Sequence, residues 1–299
     1  MTNTRLPAFP LVGELMDWAV SRLQAAELHY GHGTDSAIDE AGALVFHALG
    51  IPHEAAPEAY RWAATSAGRR RVMALVQRRI RERVPSAYLT GRTWFAGLEF
   101  EVTPAVLIPR SPIAELIEEG FEPWRGGLPV ESVLEIGTGS GCIAVACAAW
   151  LPGARVDAVD LSHAALEVAA RNVRRHGLQG RVRLVQSDVY GGVAGKRYDI
   201  VVSNPPYVPS EEMVGLPPEY AGEPVLALEA GPTGLDVVER IMLGASRHLR
   251  PGGLLVVEVG GLREEVERRW PRLPLTWLQF ERGGGDVMLV RAEDCANVG

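Results

Sequence analysis

Four consecutive residues, Asn204-Pro205-Pro206-Tyr207, carry the clearest chemical pattern in the chain. A planar –NH₂ group has two N–H donors, and its delocalised lone pair makes the nitrogen a weak nucleophile. The Asn204 side-chain oxygen and the Pro205 carbonyl can accept both N–H groups and aim the lone pair at a methyl carbon. The prolines stiffen the loop and remove competing N–H groups, while Tyr207 offers a face to a planar group. The pattern predicts methyl transfer to a planar nitrogen, driven by positioning rather than by a general base.

A glycine-rich segment lies earlier in the chain, at residues 135–141. Glycine lets the backbone turn sharply and approach a ligand where a Cβ would collide. A dinucleotide-binding fingerprint would place its third glycine at position 142, where Cys142 stands instead. The segment alone is weak evidence, but with the methyl transfer predicted from residues 204–207 it favours S-adenosylmethionine as the cofactor. The residues of this segment that we expect to bind it are Glu135, Ile136, Gly137, Thr138, Gly139 and Gly141.

Acidic residues follow two later strands, at Asp160-Leu161 and at Ser187-Asp188-Val189. A carboxylate at the first position can accept hydrogen bonds from both ribose hydroxyls, and the second segment can reach an adenine edge. Ligands of open α/β sheets bind outside the carboxyl ends of the strands, so these segments and Asn204 are predicted to line one cofactor site. Taken singly, each motif also fits a tight turn or a strand-end cap.

Alternating strands and helices must position these segments, and they begin near Val130. Such alternation predicts a mainly parallel sheet covered by helices. The chain ends differently, because residues 275–280 and 286–290 flank Gly283-Gly284-Gly285, which is typical of an antiparallel hairpin. A parallel sheet with an antiparallel terminal hairpin is typical of class I, Rossmann-like methyltransferases. The predicted parallel strands cover residues 130–136, 155–160, 182–186, 198–203 and 254–259.

The amino-terminal part has helical periodicity, with Leu11, Leu15 and Trp18 at helical spacing. Residues 1–85 are predicted to form a helical domain that recognises the substrate. Residues 86–112 are rich in aromatic and β-branched residues with glycines, which predicts a β-hairpin linker. Residues 113–299 are then the methyltransferase domain.

The overall composition narrows the possible partners. The net charge is −7 and the computed pI about 5.6, whereas proteins that grip nucleic-acid phosphates usually carry the opposite charge. One helix is an exception, with seven arginines within residues 69–83, and it is either a solvated face or a weak contact to RNA or an acidic partner. The three cysteines fit no zinc pattern, and no metal is expected. The amino terminus lacks the apolar core of a secretory signal, and no segment is long enough to span a membrane, so a cytoplasmic protein is expected.

The motifs together resemble the bacterial protein N(5)-glutamine methyltransferases. The resemblance is carried by the glycine-rich segment, by the tetrapeptide at 204–207, and by Tyr88-Leu89-Thr90-Gly91 with Phe95, Gly97 and Phe100. The corner at residues 107–116 and the segment at 29–35 are similar to the branch that acts on the third protein of the large ribosomal subunit. The resemblance implies cofactor contacts from Gly137, Gly139, Gly141, Asp160 and Asp188 and a glutamine contact from the tetrapeptide. Val189 departs from an aromatic residue often found beside the adenine in these relatives, and Arg110 is a further inherited candidate.

Other acceptors also fit the pattern at residues 204–207. A release factor is the acceptor of the sister branch of the family. Exocyclic amines of ribosomal RNA guanine or of nucleic-acid adenine are planar –NH₂ groups as well, and enzymes that modify bases extrude them from the stack. Protein glutamine remains the leading prediction, because the net charge is negative and no base-reading module is present.

Overall fold

The structure is a computed structural model, and it describes residues 10–52 and 55–298. Residues 1–9, where the sequence predicts no secretory signal, lie outside the described part. Contacts divide the chain into two compact units. The helical unit contains Met1–Arg92 and Pro217–Gly222, and the sheet unit contains Thr93–Leu216 and Glu223–Gly299. The boundary between them falls inside the segment predicted as a linker.

Three longer helices build the helical unit: α1 (Val12–Gln24), α2 (Ala37–Leu49) and α4 (Ser66–Glu82), with the short α3 (Ala56–Ala59) and α5 (Ser86–Thr90) beside them. The Ser36 hydroxyl caps α2 by accepting from the Asp39 N–H, and Gly50 ends it in the left-handed conformation. Apolar side chains from the three longer helices form one core. It includes Leu15, Leu23, Leu44, Val45, Val72 and Val76.

A buried ion-pair cluster completes the helical unit. The Arg79 guanidinium donates to Glu40 at 2.7 Å and to Glu219 at 3.1 Å, and these three side chains are fully buried. It also donates to the His29 carbonyl oxygen at 2.8 Å. The prediction of a solvated or RNA-binding arginine face is therefore wrong for Arg79. This burial leaves the RNA contact predicted for residues 69–83 without structural support.

A two-stranded hairpin follows, formed by β1 (Arg92–Phe95) and β2 (Leu98–Glu101). Its turn residues Ala96 and Gly97 both have positive φ, which matches the twist of a tight hairpin. The hairpin is shorter than the sequence pattern suggests, because Ser86–Thr90 is helical. Pro85 precedes this short helix and Gly91 ends it in the left-handed conformation, so local turn chemistry overrides the aromatic pattern.

Within the described residues, the sheet unit contains one seven-stranded sheet in the order β5-β4-β3-β6-β7-β9-β8. Strands β3 to β7 run parallel, whereas β9 is antiparallel to β7 and β8, so the predicted fold class is confirmed. The strand order reverses direction at β3, where ligand crevices form in such sheets. The strands are β3 (Ser132–Ile136), β4 (Arg155–Asp160), β5 (Val182–Gln186), β6 (Tyr198–Ser203), β7 (Leu249–Gly260), β8 (Thr276–Trp277) and β9 (Asp286–Arg291).

Helices cover both faces of this sheet. Alternate strand residues point to opposite faces, so Val133 packs with α7 while Leu134 packs with α9. The two apolar layers hold the carboxyl ends of β3, β4, β5 and β6 at one edge. The helices are α6 (Ile113–Glu118), α7 (Cys142–Trp150), α8 (His163–Arg175), α9 (Asp236–His248) and α10 (Arg263–Arg269). Among the described helices, none has the length and apolar character needed to cross a membrane.

Candidate active site

A cavity of about 270 Å³ opens in the sheet unit at the carboxyl ends of β3, β4, β5 and β6. Twelve of the predicted site residues line it. Gly141, Pro205 and Tyr207 do not line it. The twelve residues are Glu135, Ile136, Gly137, Thr138, Gly139, Asp160, Leu161, Ser187, Asp188, Val189, Asn204 and Pro206.

The glycine-rich loop joins β3 to α7, and its three glycines all have positive φ, at 74°, 53° and 80° for Gly137, Gly139 and Gly141. L side chains rarely adopt this conformation. Gly141 is also constrained by packing, since a Cβ there would lie 3.1 Å from the Ala169 Cβ on α8. The third glycine therefore allows the loop to pack on its neighbouring helix, while the first two shape the cavity wall.

Glu135 supports this loop from beneath. Its carboxyl group is buried, accepts from the Ala144 N–H at 3.0 Å and lies 2.5 Å from the Thr138 hydroxyl oxygen. Burial raises the pKa of Glu135 to about 8, so the group is mostly uncharged at neutral pH. These contacts fix the loop conformation, and direct contact between Glu135 and a cofactor stays a prediction.

Asp160 stands at the end of β4 and contacts the same loop. Its Oδ2 accepts from the Gly139 N–H at 2.8 Å, and its Oδ1 accepts from the Ser162 N–H at 2.8 Å. Burial raises the pKa of Asp160 above its ordinary value, although these hydrogen bonds oppose the shift. Each carboxylate oxygen has a second lone pair, so Asp160 can still accept from a ligand that enters the cavity.

The segment after β5 contributes a third wall. The Ser187 hydroxyl donates to the Val189 carbonyl and accepts from the Gly192 N–H, so it stabilises the turn. Val189 has φ 48°, a strained conformation for a β-branched residue. The half-exposed Asp188 pairs with Arg240 of α9 at 2.6 Å, and both line the cavity.

The tetrapeptide follows β6 and meets the glycine-rich loop. The Ser203 hydroxyl donates to the Ile136 carbonyl at 2.7 Å, which ties the ends of β6 and β3 together. A Cβ on Gly137 would lie 3.9 Å from the Asn204 carbonyl oxygen. The Asn204 side-chain oxygen Oδ1 is buried and has no hydrogen-bond partner within the described part of the chain. A buried acceptor without a partner is costly, so this atom is suited to accept an N–H from a ligand.

Tyr207 is held by packing and by a hydrogen bond to Glu258. Its ring lies on the backbone of Gly260, where a Cβ would come within 2.6 Å of a ring carbon. Its hydroxyl donates to Glu258 at 3.2 Å. The stacking role that the sequence suggests for Tyr207 stays a prediction, since the ring does not line the cavity.

Comparisons with known proteins agree with this geometry. Residues 127–215 match the family model described as "Methyltransferase small domain". A ribosomal protein uL3 glutamine methyltransferase of Xanthomonas campestris pv. campestris is 45% identical over 98% of this chain and 95% of that protein. The protein of the same name from Bordetella pertussis is 44% identical over 98% of this chain and 99% of that protein.

The chain belongs to the ribosomal protein uL3 glutamine methyltransferase family. A solved structure, the hMettl16 catalytic domain in complex with MAT2A 3′UTR hairpin 1, aligns with a TM-score of 0.51. The alignment covers 78% of this chain and 82% of that chain at 17% identity, a likeness of fold alone.

The structure gives the inherited candidate Arg110, which lines the cavity, an ion-pair partner, and it brings Glu223, Arg240 and Glu258, which the sequence did not single out, close to the candidate site. Arg110, at the proline-rich corner, forms a two-pronged ion pair with the buried Glu223, at 2.5 and 2.6 Å. Glu223 also accepts from the Ile108 N–H. The ion pair of Arg110 with Glu223 was not predicted, because no spacing rule connects positions more than a hundred residues apart. Arg240 and Glu258 were missed for the same reason.

Proposed function

We propose that this chain uses S-adenosylmethionine to methylate the side-chain amide nitrogen of a glutamine in ribosomal protein uL3. Family membership supports a glutamine in uL3 as the acceptor, because relatives at 43–45% identity carry that name. The observation that carries the chemistry is the buried Oδ1 of Asn204 in the cavity wall, which has no hydrogen-bond partner among the described residues.

The polar groups in the cavity wall and the shape of the cavity fit the proposed cofactor. Its wall is mainly apolar, with carboxylates at the ends of β4 and β5 and glycines at the end of β3. Asp160 would hold the ribose and Asp188 the adenine, with Leu161, Ser187 and Val189 beside them. Gly137 and Gly139, with Ile136 and Thr138, would surround the remainder of the cofactor.

Positioning supplies the catalysis in this proposal. Asn204 Oδ1 and the Pro205 carbonyl would accept the two N–H groups of the glutamine amide, which fixes the plane of the amide and directs its lone pair. When bound, S-adenosylmethionine would supply the methyl group and would leave as the neutral thioether, while the amide nitrogen held by Asn204 and Pro205 would be the acceptor and would lose one N–H proton to water. Pro206 stiffens the loop. Tyr207 ends the loop and packs on Gly260.

We also propose a role for each part of the chain and a cellular compartment. Residues 1–85 would recognise the acceptor protein, and residues 113–299 would catalyse methyl transfer. Residues 86–112 would link these two domains. Because the proposed acceptor is a ribosomal protein, we propose that the enzyme acts in the cytoplasm.

Labelled-methyl transfer with three acceptors side by side tests the proposal. Purified uL3, a release factor and ribosomal RNA would each be incubated with the protein and labelled S-adenosylmethionine, and mass spectrometry would locate the methyl group. We expect label on a glutamine side-chain nitrogen of uL3. Label on the release factor alone would move the acceptor to the sister branch, and label on RNA alone would overturn the proposal.

A further inference from the structure

The proposed methyl transfer does not involve Glu258, whose buried carboxyl group lies behind residues 204–207. Glu258 lies on β7 and is 3% exposed. Its Oε2 accepts from the Ser111 hydroxyl at 2.5 Å, and its Oε1 accepts from the Tyr207 hydroxyl at 3.2 Å. One carboxyl group thus joins two segments that are 147 and 51 positions away from it in sequence.

Both segments reach the cavity. Ser111 lines it at the corner after Pro109, and Tyr207 ends the loop that begins with Asn204. The register of β6 and β7 pairs Ser203 with Val257, so Glu258 stands one residue beyond that pair, level with Asn204. Glu258 is therefore placed to set the distance between the corner and the loop.

Tyr207 leaves little freedom in this arrangement. Its ring lies on Gly260, and a Cβ on Gly234 would come within 2.5 Å of the Tyr207 carbonyl oxygen. Both glycines have positive φ, so a larger residue is disfavoured at each position. The packing fixes the ring, and the hydrogen bond to Glu258 fixes its polar end.

Burying the carboxyl group of Glu258 at this position costs desolvation free energy. Burial raises the pKa of Glu258 to about 7, while Ser111, Tyr207 and the charge of Arg110 oppose that shift. An apolar side chain of similar size would avoid the desolvation cost. Strongly shifted carboxyl groups concentrate at functional sites, which favours a role beyond packing.

We propose that Glu258 is a positioning residue, which holds the loop at 204–207 in its reactive geometry by joining Tyr207 to Ser111. The inference rests on the proposed function, because the geometry it maintains is that of the amide acceptors. Glutamine at this position can accept with only one of its two terminal atoms, so one of the two hydroxyl groups loses its acceptor.

The test is a double-mutant cycle on methyl transfer to uL3, with Glu258→Gln, Tyr207→Phe and the pair together. We expect Glu258→Gln to lower kcat about tenfold or more, the effect of one charged hydrogen bond, with KM and the Kd of S-adenosylmethionine within about twofold of wild type. The double variant should be no slower than the slower single variant. Glu264→Gln, an exposed change on α10, is the matched control.

Purely structural roles give a different pattern. Additive losses in the cycle, or a raised KM with unchanged kcat, would overturn the inference. Should Glu258→Gln fail to fold, the cycle of Ser111→Ala with Tyr207→Phe replaces it, since both hydroxyls act through the same carboxyl group and should again be non-additive. If wild type transfers no methyl to uL3, the proposed function falls and this inference with it, whereas an active wild type with additive variants overturns the inference alone.

Discussion

At the residue scale, the polar groups of the cavity differ in how much hydrogen-bonding capacity they keep for a ligand. Asn204 Oδ1 is buried with no partner among the described residues, whereas each oxygen of Asp160 already accepts one backbone N–H. Asp160 holds the Gly139 N–H, and in the proposed site it would also be a ligand for the ribose. Its loss should weaken cofactor binding through both.

We expect Asp160→Ala to raise the Kd of S-adenosylmethionine about tenfold or more, because charge-assisted hydrogen bonds each contribute about 1.5–3 kcal/mol. Isothermal titration calorimetry measures this directly. Asp35→Ala, an exposed change in the helical unit, should leave the Kd unchanged. Unchanged affinity in Asp160→Ala would remove Asp160 from the cofactor site.

Glu258 makes the stability of the fold depend on pH. Its pKa rises from 4.5 to about 7 on folding, so the folded chain holds the proton more tightly than the unfolded chain. Stability from this group is fully present below about pH 4.5 and is lost as the pH rises through about 7, by up to about 3 kcal/mol. The groups facing it are Ser111, Tyr207 and Arg110.

Urea unfolding at a series of pH values measures this effect. The stability of Glu258→Gln relative to wild type should increase as the pH rises, because the variant cannot ionise there. Glu264→Gln should run parallel to wild type. A constant difference between Glu258→Gln and wild type across the pH range would contradict the assignment.

Some contacts of the cavity residues could be predicted from the sequence and others could not. Asp160 and Asp188 were predicted from their places after strands, and both line the cavity. The partner of Asp188, Arg240, lies on a helix whose periodicity gives no sign of its direction toward the site. Ion pairs between distant positions depend on the folded geometry, which a motif does not contain.

At the scale of elements, the loop between β3 and α7 joins backbone conformation to packing. Gly141 has φ 80°, and a Cβ there would meet Ala169 at 3.1 Å. Gly141→Ala should therefore lower the free energy of unfolding by about 1–3 kcal/mol and weaken cofactor binding through the displaced loop.

Thermal denaturation compares this variant with Gly180→Ala. Gly180 is exposed, and a Cβ there would meet no atom within 4 Å, so its stability should stay within about 0.5 kcal/mol of wild type. Equal melting temperatures for the two variants would show that the close approach of the loop to α8 is unimportant.

Element boundaries were predictable where local signals agree with the tertiary fold. Three predicted strands, Arg155–Asp160, Val182–Gln186 and Tyr198–Ser203, have their predicted bounds. β7 begins earlier than predicted, at Leu249, although Pro251 and two glycines follow there. The short helix Ser86–Thr90 was missed, because turn residues at its ends outweighed the aromatic pattern.

At the scale of the whole molecule, one segment of the second half of the chain belongs to the helical unit. Residues Pro217–Gly222 join it, and the buried Glu219 pairs there with Arg79. The sequence of this region shows no helical or strand periodicity. Nothing in its local pattern predicts a partner 140 positions earlier.

Loss of Arg79 should destabilise the helical unit strongly. Arg79→Ala leaves the buried Glu40 without its cation, while Glu219 keeps its ion pair with Arg83 at 3.0 Å. Breaking a buried pair costs about 3–5 kcal/mol. Urea unfolding followed by circular dichroism measures the loss. Arg70→Ala, an exposed change on the same helix, is the control and should stay within about 0.5 kcal/mol of wild type. Equal effects for the two arginines would contradict the buried cluster.

The proposed chemistry depends on Asn204 Oδ1 accepting an N–H of the glutamine amide, and a single-turnover rate measurement on Asn204→Ala probes this contact. With uL3 and saturating S-adenosylmethionine, the rate should fall about a hundredfold or more, while the cofactor Kd stays within about twofold of wild type. Asn297→Ala, an exposed change near the carboxyl terminus, should match wild type. A rate in Asn204→Ala that also matches wild type would rule out this role for the Asn204 side chain.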